Sequence, residues 1–167
     1  MIRIQAACYG PALLESQALY ACRLASPAHC SLGARDDRGA LTAYLVAYWS
    51  VRGAVTPLHG DFKAREDADT LYLHDLAVLP AQAGRGLARA LLQAAWRMAQ
   101  ARGVRRAALV SVQGTEAFWR RQGFRPAPSP AGLDGYGAGA LYMTCDREDH
   151  GRLQWPARRD SNPRPAA

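Results

Sequence analysis

Residues 74–92 read His-Asp-Leu-Ala-Val-Leu-Pro-Ala-Gln-Ala-Gly-Arg-Gly-Leu-Ala-Arg-Ala-Leu-Leu and decide the fold class. They begin inside an apolar strand over 70–78, which Pro80 stops. Over 86–102, apolar residues recur every three or four positions, as on one face of a helix, and Gly103 is typical of a helix end. The pattern therefore predicts a buried strand that runs through a glycine-containing turn into a long helix.

Gly84 and Gly86 give this turn the features of a site for phosphate or pyrophosphate. Both can adopt positive φ, and the missing Cβ atoms let a ligand approach the backbone. The free N–H groups of the first helical turn then face that ligand. On the glycines alone, a tight turn without a ligand is an equally good interpretation. A P-loop is excluded because no Gly-Lys pair occurs, and a dinucleotide fingerprint because Arg89 stands at its third small position.

The flanking segments place this unit in a layered α+β or α/β domain without internal repeats. We predict earlier strands over 30–34 and 40–49 around a hairpin turn, and later a strand over 106–112, a helix near 115–122 and strands near 124 and over 140–145.

The N-terminal pattern predicts a helix over 11–24 whose buried stripe consists of Leu13, Leu14, Ala18, Ala21 and Cys22. Residues 1–9 suit either a strand or the end of a helix from a truncated chain. We expect residues 1–150 to form one domain. Residues 151–167 are rich in arginine and proline and poor in apolar side chains, so we expect a disordered tail there.

Composition argues against several classes of protein. The 167 residues include 21 Lys and Arg against 14 Asp and Glu, a formal charge of +7. Lys63 is the only lysine, so the excess is arginine, which is typical of GC-rich coding sequence; no aromatic-plus-basic motif indicates nucleic-acid binding. No membrane helix or signal peptide is indicated, and cysteines and histidines lack metal-ligand spacing. We expect a cytoplasmic protein without metal, as a monomer or homodimer.

The window Ala83-Gly84-Arg85-Gly86-Leu87-Ala88 resembles the acetyl-CoA pyrophosphate loop of the GNAT superfamily of N-acetyltransferases, which reads [QR]-x-x-G-x-[GA] between a strand and a helix. The small residues match at Gly86 and Ala88. Ala83 replaces the leading Gln or Arg, and Gln82 lies one position earlier. A second block, Ala-Phe-Trp-Arg-Arg-Gln-Gly-Phe over 117–124, is similar to the family's later Phe-Tyr-x-x-x-Gly-Phe.

The resemblance covers about residues 70–125 and implies a mixed, mostly antiparallel sheet, flanked by helices, whose fourth and fifth strands splay apart. The pantetheine of acetyl-CoA would lie in that gap and the pyrophosphate in the loop. By resemblance, the cofactor contacts fall on Leu76, Ala77, Val78, Gln82, Ala83, Gly84, Arg85, Gly86, Leu87, Ala88 and Trp119.

Amine acetylation needs a base, because an ammonium with a pKa near ~10 has no lone pair to attack a thioester. The candidates are His74 and Asp75, in a strand similar to that of serotonin N-acetyltransferase, where histidines serve as the base. Neighbours on a strand point to opposite faces, so only one faces the cleft unless a bulge intervenes. We favour His74 as base and Asp75 as a relay or structural acid. A half-buried, satisfied histidine is the alternative.

The family's usual acid toward the CoA thiolate is the tyrosine after Phe in the second block, where this chain has Trp119. An indole has no acidic hydroxyl, so Tyr136, Tyr142 or water would supply the proton. The resemblance thus implies an acetyl-CoA-dependent N-acetyltransferase acting on a primary amine of a small molecule or peptide. Ala83 and Trp119 favour the alternative, a GNAT-fold acyl-CoA-binding or sensor module with reduced turnover.

Overall fold

The computed structural model of this chain describes residues 1–128, 130 and 133–147. In chain order its elements are α1 (Ile2–Cys8), α2 (Gln17–Ala25), β1 (Leu32–Arg35), β2 (Leu41–Ser50), β3 (Thr70–Val78), α3 (Leu87–Ala101), β4 (Arg106–Ser111), α4 (Glu116–Arg121), β5 (Arg125–Pro126) and β6 (Leu141–Asp146). Short 3-10 turns occupy Pro11–Leu13, Pro80–Gln82 and Asp134–Tyr136. The expected domain end at 150 and the tail over 151–167 lie outside the described residues.

The six strands form one mixed sheet in the order β1-β2-β3-β4-β6-β5. Only β3 and β4 pair in parallel, and the other neighbours pair antiparallel. This confirms the predicted α+β architecture with a mostly antiparallel central sheet. Strand β2 is buried along nearly its whole length, because helices cover both faces of the sheet.

The two faces of the sheet pack against different helices. Ala43, Leu45 and Ala47 of β2 belong to the main core, together with Leu92 and Trp96 of α3. The intervening β2 residues pack on the other face, where α1 and α2 contribute Ile4 and Tyr20. The sheet is therefore the middle layer of three. None of the described helices combines the length and apolar character needed to cross a bilayer.

Helix α3 begins and ends where its glycines predict. Gly86 precedes its first residue with φ of +78°, and Gly103 follows its end with φ of +75°. The Gly103 N–H donates to the carbonyl oxygen of Gln100 at 3.0 Å, which satisfies one of the carbonyls that a helix end leaves free.

The prediction of one continuous helix over 11–24 was wrong. Helix α2 starts only at Gln17, because the chain is extended at Leu14 and the Ser16 hydroxyl caps the helix by accepting from the Leu19 N–H at 3.2 Å. Of residues 1–9, seven form helix α1 rather than a strand.

The predicted buried stripe of this region was wrong too. Ala18, Ala21 and Cys22 are exposed, whereas Tyr20 and Arg23 are buried. The polar partners that these two side chains find across the sheet, described below, decide which face of α2 points inward.

Candidate functional site

Strands β3 and β4 separate part-way along their length. They pair over Thr70–Leu73 and Arg106–Leu109, and the described sheet has no pairing between them beyond these residues. The Leu79 N–H donates to Thr42 O on β2 at 2.9 Å. Because main-chain groups alternate along an antiparallel strand, those of Leu76 and Val78 point away from β2 and into the gap. The splayed strands of the prediction are therefore β3 and β4 here.

The gap opens into a cleft of about 290 Å³. Five of the predicted cofactor residues line it: Leu76, Ala77, Val78, Ala88 and Trp119. Trp119 is 8% exposed and packs edge-on against Phe118 and Phe124. The other six predicted cofactor residues, Gln82, Ala83, Gly84, Arg85, Gly86 and Leu87, lie in the turn before α3 and at its first position, outside this lining.

The turn before α3 is an open cradle for an anion. Gly84 and Gly86 have φ of +76° and +78°, and a Cβ atom added to either would meet nothing within 4 Å. No side chain caps the first turn of α3, which runs for 15 residues. Its free N–H groups and the positive end of its dipole are therefore available to a phosphate group.

Strand β3 contains a bulge at His74. Val46 of β2 pairs with Asp75, whereas the next β2 residue, Ala47, pairs with Leu73, so His74 is one residue too many for the ladder. The core pattern shifts accordingly, from Leu71 and Leu73 before the bulge to Leu76 and Val78 after it. His74 and Asp75 consequently both lie on the opposite face of the sheet. A regular strand would have pointed these two neighbours to opposite faces.

The His74 ring lies in a buried ionic cluster with Glu15 and Arg23. Its Nε2 is 2.9 Å from Glu15 Oε2 and 2.8 Å from Arg23 Nη1. Arg23 also donates to both Glu15 oxygens at 2.5 and 2.7 Å and to Gly60 O at 2.5 Å. The His74 side chain is 2% exposed, and its Nδ1 is buried without a hydrogen-bond partner.

The electrostatics of Glu15 reflect this pairing. Burial raises the pKa of its carboxyl, but hydrogen bonds from His74 and Arg23 and their charges outweigh burial and lower the pKa to about 2. Glu15 is therefore a fixed carboxylate that orients the His74 ring.

Asp75 is surrounded by tyrosine hydroxyls. Tyr9 donates to Oδ1 at 2.6 Å, and Tyr20 and Tyr44 donate to Oδ2 at 2.5 and 2.6 Å. Burial, followed by the negative charge of Asp75, raises the pKa of each of these three phenols. The tyrosines therefore remain protonated donors, and each of them donates a hydrogen bond to Asp75.

A second cavity, of about 40 Å³, adjoins the cleft. We call it the acceptor cavity; Leu13, Glu15, Tyr20, Leu58 and Tyr136 line it alone, and Tyr9, His74, Asp75, Val110 and Val112 line both spaces. The structure thus brings His74, Asp75 and Tyr136 to one place. The Tyr136 hydroxyl donates to Thr56 O at 2.7 Å, and burial raises its pKa. Tyr142 lines neither space.

Sequence reasoning missed Tyr9, Glu15, Tyr20, Arg23 and Tyr44. The single available signal was the charge of Glu15 and Arg23 inside a segment otherwise predicted to be an apolar helix. Tyr44 was hidden in a strand where an aromatic residue is ordinary.

The first 124 residues match a family model described as acetyltransferase (GNAT) family. The chain belongs to this family. In a sequence comparison, no curated protein matches this GNAT chain.

Solved structures share this fold. The ribosomal-protein-S18-alanine N-acetyltransferase from Escherichia coli superimposes with a TM-score of 0.64 at 18% identity, over 92% of this GNAT chain and 90% of that chain. Nourseothricin acetyltransferase superimposes with a TM-score of 0.55 at 25% identity, over 73% of this chain and 67% of that chain. The PaiA N-acetyltransferase from Thermoplasma acidophilum, in complex with coenzyme A, gives 0.51 at 15% identity over 71% of this chain, which spans only 61% of that protein.

Replacing Gly86 with valine is expected to weaken acetyl-CoA binding at least about tenfold, because the new side chain would fill the space through which pyrophosphate approaches the backbone. Gly39→Val is the matched control: Gly39 has the same φ of +78° and equally open surroundings, but lies in the β1–β2 turn. Calorimetric titration of both folded variants checks this. Unchanged affinity in Gly86→Val would remove the loop from the binding site.

Proposed function

We propose that this GNAT protein is an N-acetyltransferase that transfers the acetyl group of acetyl-CoA to a primary amine of a small molecule or peptide. The observation that carries the proposal is the bulge in β3, which sets His74 and Asp75 side by side where the cleft meets the acceptor cavity. A base and a carboxylate thus adjoin both spaces, as a direct transfer between two substrates requires.

The residues present fit acetyl-CoA. The glycine cradle before α3 is open and uncapped, so it would hold the pyrophosphate. The carbonyl oxygens of Leu76 and Val78 accept from the Tyr9 hydroxyl at 3.1 Å and the Cys8 thiol at 3.2 Å. Their N–H groups and the second lone pair of each carbonyl would hold the pantetheine as a neighbouring strand would be held. Acetyl-CoA would supply the acetyl thioester, whose carbonyl carbon gains a C–N bond as the C–S bond breaks.

His74 is the proposed general base. His74 Nε2 lies near both Glu15 Oε2, which can only accept, and Arg23 Nη1, which can only donate. The proposal requires the tautomer in which the Nε2–H donates to Glu15 while Arg23 Nη1 donates to the same carboxylate oxygen. The lone pair then resides on Nδ1, the atom without a partner. Nδ1 can then accept the proton of the amine, directly or through a water molecule. Glu15 stabilises the imidazolium that forms, as a positioning residue.

Asp75 and Tyr136 have supporting roles in this proposal. Asp75, with three hydroxyl donors, holds its position as a structural acid rather than taking the proton. Tyr136 lines the acceptor cavity but not the cleft, and its hydroxyl donates to Thr56 O. A water molecule is therefore the better proposed source of the proton for the departing thiolate. Trp119 can only donate a hydrogen bond from its indole nitrogen to the cofactor.

Incubation of the protein with acetyl-CoA and pairs of amine and alcohol of equal chain length tests the proposal. We expect free CoA and a product one acetyl group heavier from the amine alone, by mass spectrometry. Release with the alcohol instead would make the protein an O-acetyltransferase. Acetyl-CoA binding without CoA release for every amine would favour the acyl-CoA sensor, the function with which Trp119 is compatible.

A further inference from the structure

Gln5 is a polar side chain in an apolar setting. It lies on α1 and is 2% exposed, and its neighbour Ile4 belongs to the apolar cluster that joins α1 and α2 to the sheet. A buried amide lowers stability unless its polar atoms are hydrogen-bonded. The partners of Gln5 therefore indicate its role.

Both polar atoms of Gln5 bind the main chain of Glu15. Gln5 Nε2 donates to Glu15 O at 2.9 Å, and the Glu15 N–H donates to Gln5 Oε1 at 2.8 Å. Glu15 lies in the connection before α2, outside any described helix or strand. Among the described residues, no other group bonds to its main-chain N–H and C=O. Gln5 therefore fixes the point from which the Glu15 side chain reaches His74.

Two neighbours of His74 Nε2 compete over the hydrogen of the ring. Glu15 Oε2, at 2.9 Å, can only accept, so it favours hydrogen on Nε2. Arg23 Nη1, at 2.8 Å, can only donate, so it favours a lone pair on Nε2 and hydrogen on Nδ1. Only the first tautomer leaves the buried, unpartnered Nδ1 with a lone pair for the proton of an amine.

The donor and the acceptor are held in different ways. Arg23 has a second anchor, because it donates to Gly60 O at 2.5 Å. The other bonds to Glu15, from Arg23 and from the His59 N–H, all end on its carboxylate, and its main chain depends on Gln5. Loss of Gln5 would thus free the acceptor to leave Nε2 while the donor stays in place.

We infer that Gln5 is a positioning residue that selects, through Glu15, the tautomer in which His74 can act as a base. The inference rests on the proposed function and adds a residue that lines neither the cleft nor the acceptor cavity. Gln5 Oε1 also lies 3.0 Å from the Tyr20 hydroxyl, whose hydrogen the shorter bond to Asp75 takes. The bond from Tyr20 to Asp75 therefore does not need Gln5 as an acceptor.

NMR of ¹⁵N-labelled histidine rings tests the inference without turnover, because ring nitrogens with and without hydrogen differ in chemical shift. The chain has four histidines, and His74→Ala identifies the signals of His74. At alkaline pH, where the ring is neutral, we expect hydrogen on Nε2 and none on Nδ1 in the wild type. Hydrogen on Nδ1 in the wild type would overturn the inference.

Gln5→Met keeps an unbranched side chain of similar length and removes both bonds to Glu15. We expect the form with hydrogen on Nδ1 to appear, and kcat to fall about 10- to 100-fold with an unchanged KM for acetyl-CoA. Gln5→Asn, which is one methylene too short for both bonds, should shift the tautomer in the same direction and serves if Gln5→Met does not fold.

Ile4→Ala is the matched control, because Ile4 is also 2% exposed on α1 but has no bond to Glu15. It should lower stability and keep the wild-type tautomer and kcat. An unchanged tautomer in a folded Gln5 variant, or an equal change in Ile4→Ala, would overturn the inference, since Gln5 would then contribute to stability alone.

A double variant separates this inference from the proposed function. In His74→Ala, adding Gln5→Met should cause no further loss of kcat, because the effect passes through the missing ring; an additive loss would overturn the inference. A lack of turnover with every amine would instead reject the proposed function, and the tautomers in wild type, Gln5→Met and Ile4→Ala would still decide the role of Gln5.

Discussion

Replacing His74 with alanine is expected to lower kcat/KM for acetyl transfer by about 10²–10⁴-fold, the range for loss of a general base. A base works only when deprotonated, so the wild-type rate should fall as the pH drops through the pKa of the base. We expect this acidic limb to vanish in His74→Ala. Steady-state CoA release across a pH series gives both quantities.

The control for this variant is His29→Ala, which removes an exposed histidine outside both cavities and should retain the wild-type profile. Because His74 is part of a buried cluster, circular dichroism must first establish that each variant is folded. If His74→Ala keeps the acidic limb and Asp75→Asn abolishes it, the proton passes to Asp75 instead.

Replacing Glu15 with glutamine is expected to lower the free energy of unfolding by about 3–5 kcal/mol, the cost of leaving a buried charge without its partner. The charge left behind is Arg23, which is 0% exposed and would keep only neutral acceptors. Denaturant titration measures the effect. Glu116→Gln is the control, since Glu116 pairs with Arg120 on the surface of α4 and should change stability by less than about 0.5 kcal/mol.

The stabilisation by Glu15 should also depend on pH in a defined direction. Its pKa is about 2 in the folded protein against 4.5 without the fold. A depressed pKa means that the stabilisation is complete above about pH 4.5 and is lost as the pH falls toward 2. The stability difference between wild type and Glu15→Gln should therefore shrink over that interval. A constant difference would mean that the carboxylate charge is not what stabilises the cluster.

The part of the site that could be predicted from sequence is local in the chain. The strand over 70–78, the glycine turn and the start of α3 follow one another within about 20 residues, and each has its own signature in apolar spacing or glycine placement. The loop geometry at Gly84 and Gly86 followed from that local pattern.

The buried polar partners could not be predicted in this way. Glu15 and His74 are 59 residues apart and Tyr20 and Asp75 are 55 apart, and nothing in either local pattern specifies the other. The docking of α2 on the sheet brings them together. The apolar stripe predicted for this helix was wrong for the same reason, since Arg23 is held inside by Glu15 and Gly60 rather than by apolar contacts.

For the pairing of β3 with β2, His74 is a surplus residue. If it were absent, Leu73 and Leu76 would be two positions apart, and the leucines on both sides would alternate in phase against α3 without interruption. The hydrophobic core thus has no use for this insertion, which interrupts a ladder. In the proposed function, this one residue lets β3 present an imidazole and a carboxylate on the same face, at the cost of a regular ladder.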